Sequence, residues 1–302
     1  MRLAKIALAA LLTWPVAAQA EELTGTLQKI KETGTIVLGT RDASIPFSFL
    51  DDKQQPIGFA IDVCMKVVEA VKTRLNMPAL KVSLNPVTSA SRIPLLANGT
   101  VDIECGSTTN NAERKRQVAF SNTYFLTASR YVFKKASGIN TIDDMKGKTV
   151  VSTSGSTNIK QLTEVNAARK LGINIIAAKD HAEGFLMVET DRAVAFVMDD
   201  VLLASFIASS KDPSLYVIGT EAFSKPEPYA LMLRRDDTPF KTLVDQTTAK
   251  LYGSPDGIAL YNKWFTQPIP PRGLNLNLPL SPELAKSFKA PTDDSDPAHY
   301  GT

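Results

Sequence analysis

Two hydrophobic rhythms alternate along the chain. Short apolar runs bounded by small or polar residues, at 35–39 (TIVLG), 81–87 and 101–105 (VDIEC), read as buried strands. Between the first two, Ile61, Cys64, Val68, Val71 and Leu75 recur at helical spacing, which predicts an amphipathic helix over 62–75. A hairpin over 46–60, with its polar turn at 51–56, precedes that helix. Ser89 and Arg92 fall in the first turn of another helix, which Gly99 closes. The extended aromatic stretch 119–135 then leads into a second series, with strands at 149–153, 173–178 and 193–198 and helix starts at 155–158 and after Asp199-Asp200. Past Lys225-Pro226-Glu227-Pro228 the run YALMLRR is a second extended crossing, which returns the chain to the first unit. Strands separated by helices predict an α/β fold with a mostly parallel sheet in each unit. Helices near 240–252 and 282–288 follow, and the polar tail from Pro291 reads as disordered.

The stretch VDIECGSTTNNAER, 101–114, shows what lies at the strand ends. It reads as a strand, a turn carrying Ser107, Thr108 and Thr109, and a helix start with Asn110 and Glu113 at capping-box spacing. Hydroxyls, free helix-terminal N–H groups and Arg114 together suit an anion. Other strand ends look alike. Arg41, Ser89 with Arg92, Ser107 with Thr109 and Arg114, Thr157, His181 and Asp199 each fall just beyond a separate predicted strand, where ligands of open α/β sheets bind. Singly, each has a simpler explanation: a solvated arginine, or a helix cap for Thr157, His181 and Asp199. Thr108 and Asn111 read as structural. Six strand ends converging on one cleft between two units argue instead for a binding site.

Composition narrows the function. With 44% hydrophobic and 22% charged residues in 302, the chain has enough apolar material for one large or two medium domains. Residues 1–20 combine Arg2 and Lys5, an apolar run too short to span a bilayer, and a small-residue cleavage site ending at Ala20, which is a secretory leader. Without Arg2 and Lys5 the basic count falls from 34 to 32 against 31 acids, and this near balance, with scattered basic residues, is no nucleic-acid footprint. Cys64 and Cys105 both lie in apolar segments of an exported chain, so a disulfide and two buried thiols are equally natural. Two histidines and two cysteines without zinc-like spacing predict no metal site, and no cofactor motif is present.

The segments TRDASIPFSF, TSASRIPLLANGTVDIECGSTTNNAER, VVSTSGST, AAKDHAEGF, RAVAFVMDD and KWFTQPIPPRGLN resemble those of the periplasmic glutamate/aspartate-binding proteins of ABC transporters, over essentially the whole chain after the leader. The resemblance implies a type II periplasmic binding protein fold, with 21–130 and 226–302 as one lobe and 131–225 as the other, closing like a hinged clamp. It also implies a monomer that binds L-glutamate or L-aspartate in the periplasm and delivers it to an inner-membrane ABC permease. By the same resemblance Arg114 clamps the α-carboxylate, helped by backbone N–H groups at Thr109 and Thr157. Asp199 accepts the α-ammonium with help from Ser107, and Arg41, Arg92, His181 and Ser89 hold the side-chain carboxylate. The chain departs from the family pattern at Tyr229-Ala230-Leu231-Met232, Cys64, Asn158-Ile159, Ala182 and Gly184. A dehydratase-like enzyme on the same fold would need an acid or base facing its substrate, but Asp199 and His181 are already committed to the amino acid's charges.

Overall fold

The computed structural model describes residues 23–271 and 273–300; the leader read at 1–20 lies outside them. In chain order, α1 (Gly25–Thr33) is followed by β1 (Thr35–Thr40), β2 (Ala43–Ser44), β3 (Ser48–Leu50), β4 (Pro56–Ile57), α2 (Phe59–Leu75), β5 (Lys81–Pro86), α3 (Arg92–Ala97), β6 (Ile103–Glu104) and β7 (Val118–Phe120). The chain continues through β8 (Phe125–Thr127), β9 (Ser129–Lys134), β10 (Thr149–Thr153), α4 (Thr157–Ala168), β11 (Asn174–Ala178), α5 (His181–Glu189), β12 (Ala195–Asp199), α6 (Asp200–Ser209) and β13 (Tyr216–Ile218). It closes with β14 (Glu227–Tyr229), β15 (Met232–Arg234), α7 (Thr238–Tyr252), α8 (Pro255–Phe265) and α9 (Pro282–Lys289).

Two five-stranded sheets result, ordered β5-β1-β6-β15-β7 and β11-β10-β12-β9-β13. In each, three strands are parallel, β5, β1 and β6 in one and β11, β10 and β12 in the other. The remaining two are antiparallel additions supplied by the crossing segments and β13. The second sheet therefore holds five strands, where the apolar runs mark only its parallel three. The expected hairpin is a small three-stranded sheet, β2-β3-β4. Its last turn runs straight into α2, because Gly58 adopts φ +139° with the Phe47 carbonyl lying 2.2 Å from where a Cβ would stand.

The two crossings pair with each other. β8 and β14 run antiparallel with Phe125 opposite Tyr229 and Thr127 opposite Glu227. Their rings rest on an aromatic floor, in which Phe125 stacks on Phe265 at 5.0 Å and Phe47 meets Tyr229 edge-on at 5.2 Å. The crossing is thus anchored on the first lobe. A disulfide joins Cys64 on α2 to Cys105 just after β6, fastening the helix to the sheet beside the cleft.

Two expectations fail. No α-helix follows residues 107–109, and Arg114–Arg116 is a single 3₁₀ turn in which Asn111 Oδ1, rather than a capping box, accepts the Arg114 N–H at 2.9 Å. The cause is pairing with the crossing strand: Asn110 N donates to the Pro228 carbonyl and Ala230 N to the Thr108 carbonyl, which holds 108–110 extended. The described part of the tail, from Pro291 to Tyr300, is also ordered. Thr123 N donates to the Thr292 carbonyl, Asn110 Nδ2 to the Asp293 carbonyl, and the buried Tyr300 hydroxyl bonds Thr123 Oγ1 at 2.9 Å. A polar composition conceals such a segment, because backbone bonds and one aromatic anchor hold it.

Candidate functional site

The carboxyl ends of all six parallel strands meet between the two sheets. Arg41 follows β1, Ser89 and Arg92 follow β5, and Ser107, Thr109 and Arg114 follow β6; across from them Thr157, His181 and Asp199 close β10, β11 and β12. Eight of these nine are buried, and only Thr157 is partly exposed. The cap explanations do not hold. Ser156 caps α4 and Asp180 caps α5, accepting from Ile159 N and Glu183 N, which frees Thr157 and His181 to face the cleft. Asp199 stands at the N-cap position of α6 but makes no side-chain cap bond.

The nine residues form four contact groups. In the first, Arg41 Nη2 donates to Ser89 Oγ at 2.9 Å and to His181 Nε2 at 3.2 Å. Because Nε2 accepts, the imidazole proton sits on Nδ1, which donates to Thr153 Oγ1 at 2.8 Å. Burial, reinforced by Arg41 and Arg92, holds the His181 pKa well below its ordinary value, so the ring is neutral. The second group surrounds Arg92, whose Nη1 donates to the Ser107 carbonyl at 3.1 Å and to Thr108 Oγ1. Thr108 in turn donates to Glu104 Oε2.

In the third group Arg114 Nη1 donates to the Thr109 carbonyl at 2.9 Å and Nη2 to the Gly155 carbonyl at 3.2 Å, while Thr109 Oγ1 lies 3.4 Å from Thr157 Oγ1. The fourth holds Asp199, with Oδ1 accepting from Asn158 Nδ2 at 2.8 Å and Oδ2 accepting from the Tyr229 hydroxyl. Burial, the largest influence, raises the Asp199 pKa above the usual carboxylate range, against the pull of these two donors. Burial likewise lowers Arg41 to about 10 and Arg114 to about 9, each assisted by repulsion from Arg92, and both remain cationic at neutral pH.

Several contacts bridge the two sides: Arg41 to His181, Arg114 to Gly155 and Thr109 to Thr157. Gly155, at φ +74°, lies so close to the opposite wall that a Cβ would come within 2.6 Å of Ala90 Cα. The cleft is closed. Four buried polar atoms in it, Arg41 Nη1, Arg92 Nε, Glu104 Oε1 and Ser107 Oγ, have no hydrogen-bond partner among the described residues. Two of these are guanidinium donors and one is a hydroxyl, a set suited to an anionic, oxygen-rich ligand. A cavity of about 240 Å³ lined by Arg41, Thr88, Lys179, Asp180 and His181 opens at the edge of the first group. A larger one, about 690 Å³, lies apart from the nine residues, lined by Leu126, Arg130, Lys225 and Tyr300. Among the described residues no cluster of His, Cys, Asp or Glu is placed to hold a metal ion.

Strand-end reasoning misses Glu104, Thr108, Thr153, Asn158 and Tyr229, which hold the nine in place. Thr108 reads as structural yet links Arg92 to Glu104; Asn158, a departure from the family pattern, orients Asp199. Glu104 has a visible signal, an acid inside an apolar strand run.

A sequence profile described as bacterial extracellular solute-binding proteins, family 3, matches residues 36–267. The chain is 55% identical over 286 residues to the L-glutamate/L-aspartate-binding protein of Pseudomonas aeruginosa, covering 94% of each. It is 48% identical over 268 residues to the glutamate/aspartate import solute-binding protein of Salmonella typhimurium, covering 89% of this chain and 88% of that one. Among solved structures, a mutant of the arginine-binding protein of T. maritima superposes with a TM-score of 0.70 at 26% identity, over 80% of this chain and 99% of that one. An ancestral amino acid-binding protein, a precursor of cyclohexadienyl dehydratase, superposes with a TM-score of 0.68 at 28% identity, over 80% and 100%.

Proposed function

Because the chain belongs to the bacterial extracellular solute-binding proteins of family 3, with the two-lobed α/β fold of type II periplasmic binding proteins, we propose how it acts: it captures L-glutamate or L-aspartate between its lobes and delivers it to an ABC permease. The lobes are 21–130 with 226–302, and 131–225. Residues 1–20 direct export and are removed, and the mature chain works in the periplasm as a monomer.

The observation that carries this reading is the burial of Arg41, Arg92 and Arg114 around one closed cleft, with a neutral His181 beside them. Three guanidiniums cannot share a dry site unless anions balance them. Arg114 takes the α-carboxylate, with N–H groups at Thr109 and Thr157. Asp199, oriented by Asn158 and Tyr229, accepts the α-ammonium with Ser107. Arg41, Arg92, Ser89 and His181 receive the side-chain carboxylate. No bond is made or broken: a ligand touching both lobes binds the closed form more tightly and draws the population towards it. The enzyme alternative has no support from the two relatives named above, at 55% and 48% identity, both of which are named for binding.

Isothermal titration with glutamate, aspartate, glutamine and arginine tests the reading. The two acidic amino acids are expected to bind without chemical change. Arg41→Ala is expected to weaken them by roughly 2–5 kcal/mol, the cost of leaving a buried charge unpaired. Wild-type affinity in Arg41→Ala, or stronger binding of glutamine than of glutamate, refutes the assignment.

A further inference from the structure

Glu104 lies beneath the arginines, fully buried on the two-residue strand β6. Its carboxylate is 3.8 Å from Arg92 Nη1, longer than a hydrogen bond, and Thr108 stands between them, accepting from Arg92 and donating to Glu104 Oε2. On its other side is Gly106, where a Cβ would meet Glu104 Oε1 at 2.4 Å and Arg41 Cγ at 2.7 Å. The missing side chain at 106 lets one carboxylate approach both Arg41 and Arg92.

We propose that Glu104 is the counter-ion that sets the net charge of the cleft at +1, so that a ligand of net charge −1 makes the closed site neutral. It is thus a positioning residue that determines specificity by ligand charge. This rests on the amino-acid-binding reading given above. Arg41, Arg92 and Arg114 contribute three positive charges, Asp199 and Glu104 two negative ones, and His181 none; Glu227, buried beside Asp199 and Arg114 with its pKa raised to about 7, adds none below pH 7, where the count applies. Without Glu104 the cleft would carry +2, and an acidic amino acid, with two carboxylates and one ammonium, would leave a buried charge uncompensated. A neutral amino acid leaves one with Glu104 in place, and a cationic one leaves two.

The indirect contact matters as much as the charge. A carboxylate gripping Arg92 in a bidentate fork would occupy the donors a ligand needs. With Thr108 interposed, Arg92 Nε and Arg41 Nη1 have no partner among the described residues, so Glu104 balances charge without competing for the ligand's hydrogen bonds. The same proximity supports Arg41, whose cationic form Glu104 favours against burial and the repulsion of Arg92.

The test compares glutamate and glutamine, which differ in side-chain charge but hardly in shape, by titration calorimetry on wild type, Glu104→Gln and Thr108→Val. Removing the buried negative charge strengthens the site's preference for an anion over a neutral isostere. The ratio of the two dissociation constants is therefore expected to rise about tenfold or more in E104Q, at an effective dielectric near 20. Ligand-free E104Q is expected to melt lower than wild type, and glutamate to raise its melting temperature by more. T108V retains the charge but lets Arg92 close onto Glu104, and is expected to bind glutamate about tenfold more weakly while its preference over glutamine falls. A ratio within about twofold of wild type in folded E104Q overturns the proposal. If E104Q does not fold, T108V with wild-type glutamate affinity overturns it. A wild type that binds neither ligand refutes the amino-acid reading itself, and this inference with it; glutamate binding with an unchanged E104Q ratio removes only the role of Glu104.

Discussion

Replacing Gly155 with alanine is expected to hold the cleft ajar. The new Cβ would lie 2.6 Å from Ala90 Cα, 2.7 Å from Ala90 N and 2.9 Å from the Ser89 carbonyl carbon, all backbone atoms of the opposite wall. Carbon atoms pack at about 3.5 Å or more, so the walls must part by roughly 0.9 Å. Two hydrogen bonds across the gap, Arg41 to His181 and Arg114 to the Gly155 carbonyl, are already at 3.2 Å and would be stretched beyond bonding range. Hydrogen bonds to charged groups contribute about 1.5–3 kcal/mol each. Arginine side chains follow part of the movement, so we expect a loss of about 2–4 kcal/mol in the closed form, or roughly 30- to 900-fold in glutamate affinity.

The backbone at Gly155 adds a separate cost of about 1 kcal/mol, because φ is +74°, but it falls on open and closed forms alike. Gly172→Ala isolates that cost, since Gly172 has φ +62° and nothing within 4 Å of a Cβ. Calorimetric titration with glutamate, paired with small-angle scattering to follow closure, measures the difference between the two variants. Ala90→Gly should not rescue Gly155→Ala, since the nearest Ala90 atoms are backbone. Wild-type affinity and full closure in Gly155→Ala would show that the wall contact does not limit closure.

Two further outcomes concern stability. The Cys64–Cys105 bond closes a loop with a sequence separation of 41, for which chain entropy predicts about 4 kcal/mol, so a Cys64→Ser/Cys105→Ser double variant is expected to melt on the order of 10 °C lower, and an unchanged melting temperature would refute this. Glu227, which accepts from Gln161 at 2.9 Å, has its pKa raised to about 7 by burial first and Asp199 second. A raised folded pKa means the native state holds the extra proton between about pH 4.5 and 7, so this contribution is present at low pH and lost as pH rises through 7. It amounts to about 3 kcal/mol. His181 acts with the opposite sign, costing stability as pH falls below about 6.5. Denaturant titrations of Glu227→Gln across this window are expected to show the variant gaining on wild type by about that amount as pH rises; a constant difference would contradict the shift.

Most of the fold was legible because its parallel strands are short apolar runs with polar breaks, and the candidate site because its polar groups sit one to nine residues past those runs. Other elements carried no such signal. In VDIEC, the two-residue period assigns Asp102 and Glu104 to a wet face, yet both are fully buried, Asp102 against Lys29 and Glu104 beside Arg92. Binary patterning cannot show this, since a buried acid is recognised only through cations that arrive from elsewhere in the chain. Tyr229 lies in the crossing run, 30 residues from the Asp199 it orients. The capping-box spacing at Asn110 and Glu113 pointed to a helix because pairing of 108–110 with a segment more than 100 residues away is invisible locally.

On the binding reading proposed above, these long-range partners make binding and closure one event. Glu113 and Lys160 also bridge the lobes, but both are half exposed, and such a pair contributes little once water and salt screen it. The buried bridges use Arg41, Arg114 and Thr109, the groups assigned to the ligand. In the proposed charge balance, with Glu227 protonated below pH 7, closing the lobes without an anion buries three guanidiniums against two carboxylates, whereas an acidic amino acid removes the imbalance and supplies acceptors for donors that have no partner among the described residues. In the proposed charge balance, the ligand's differential affinity for the closed state comes from charge made neutral on closure, which predicts that ligands differing only in charge differ in how completely they close the protein.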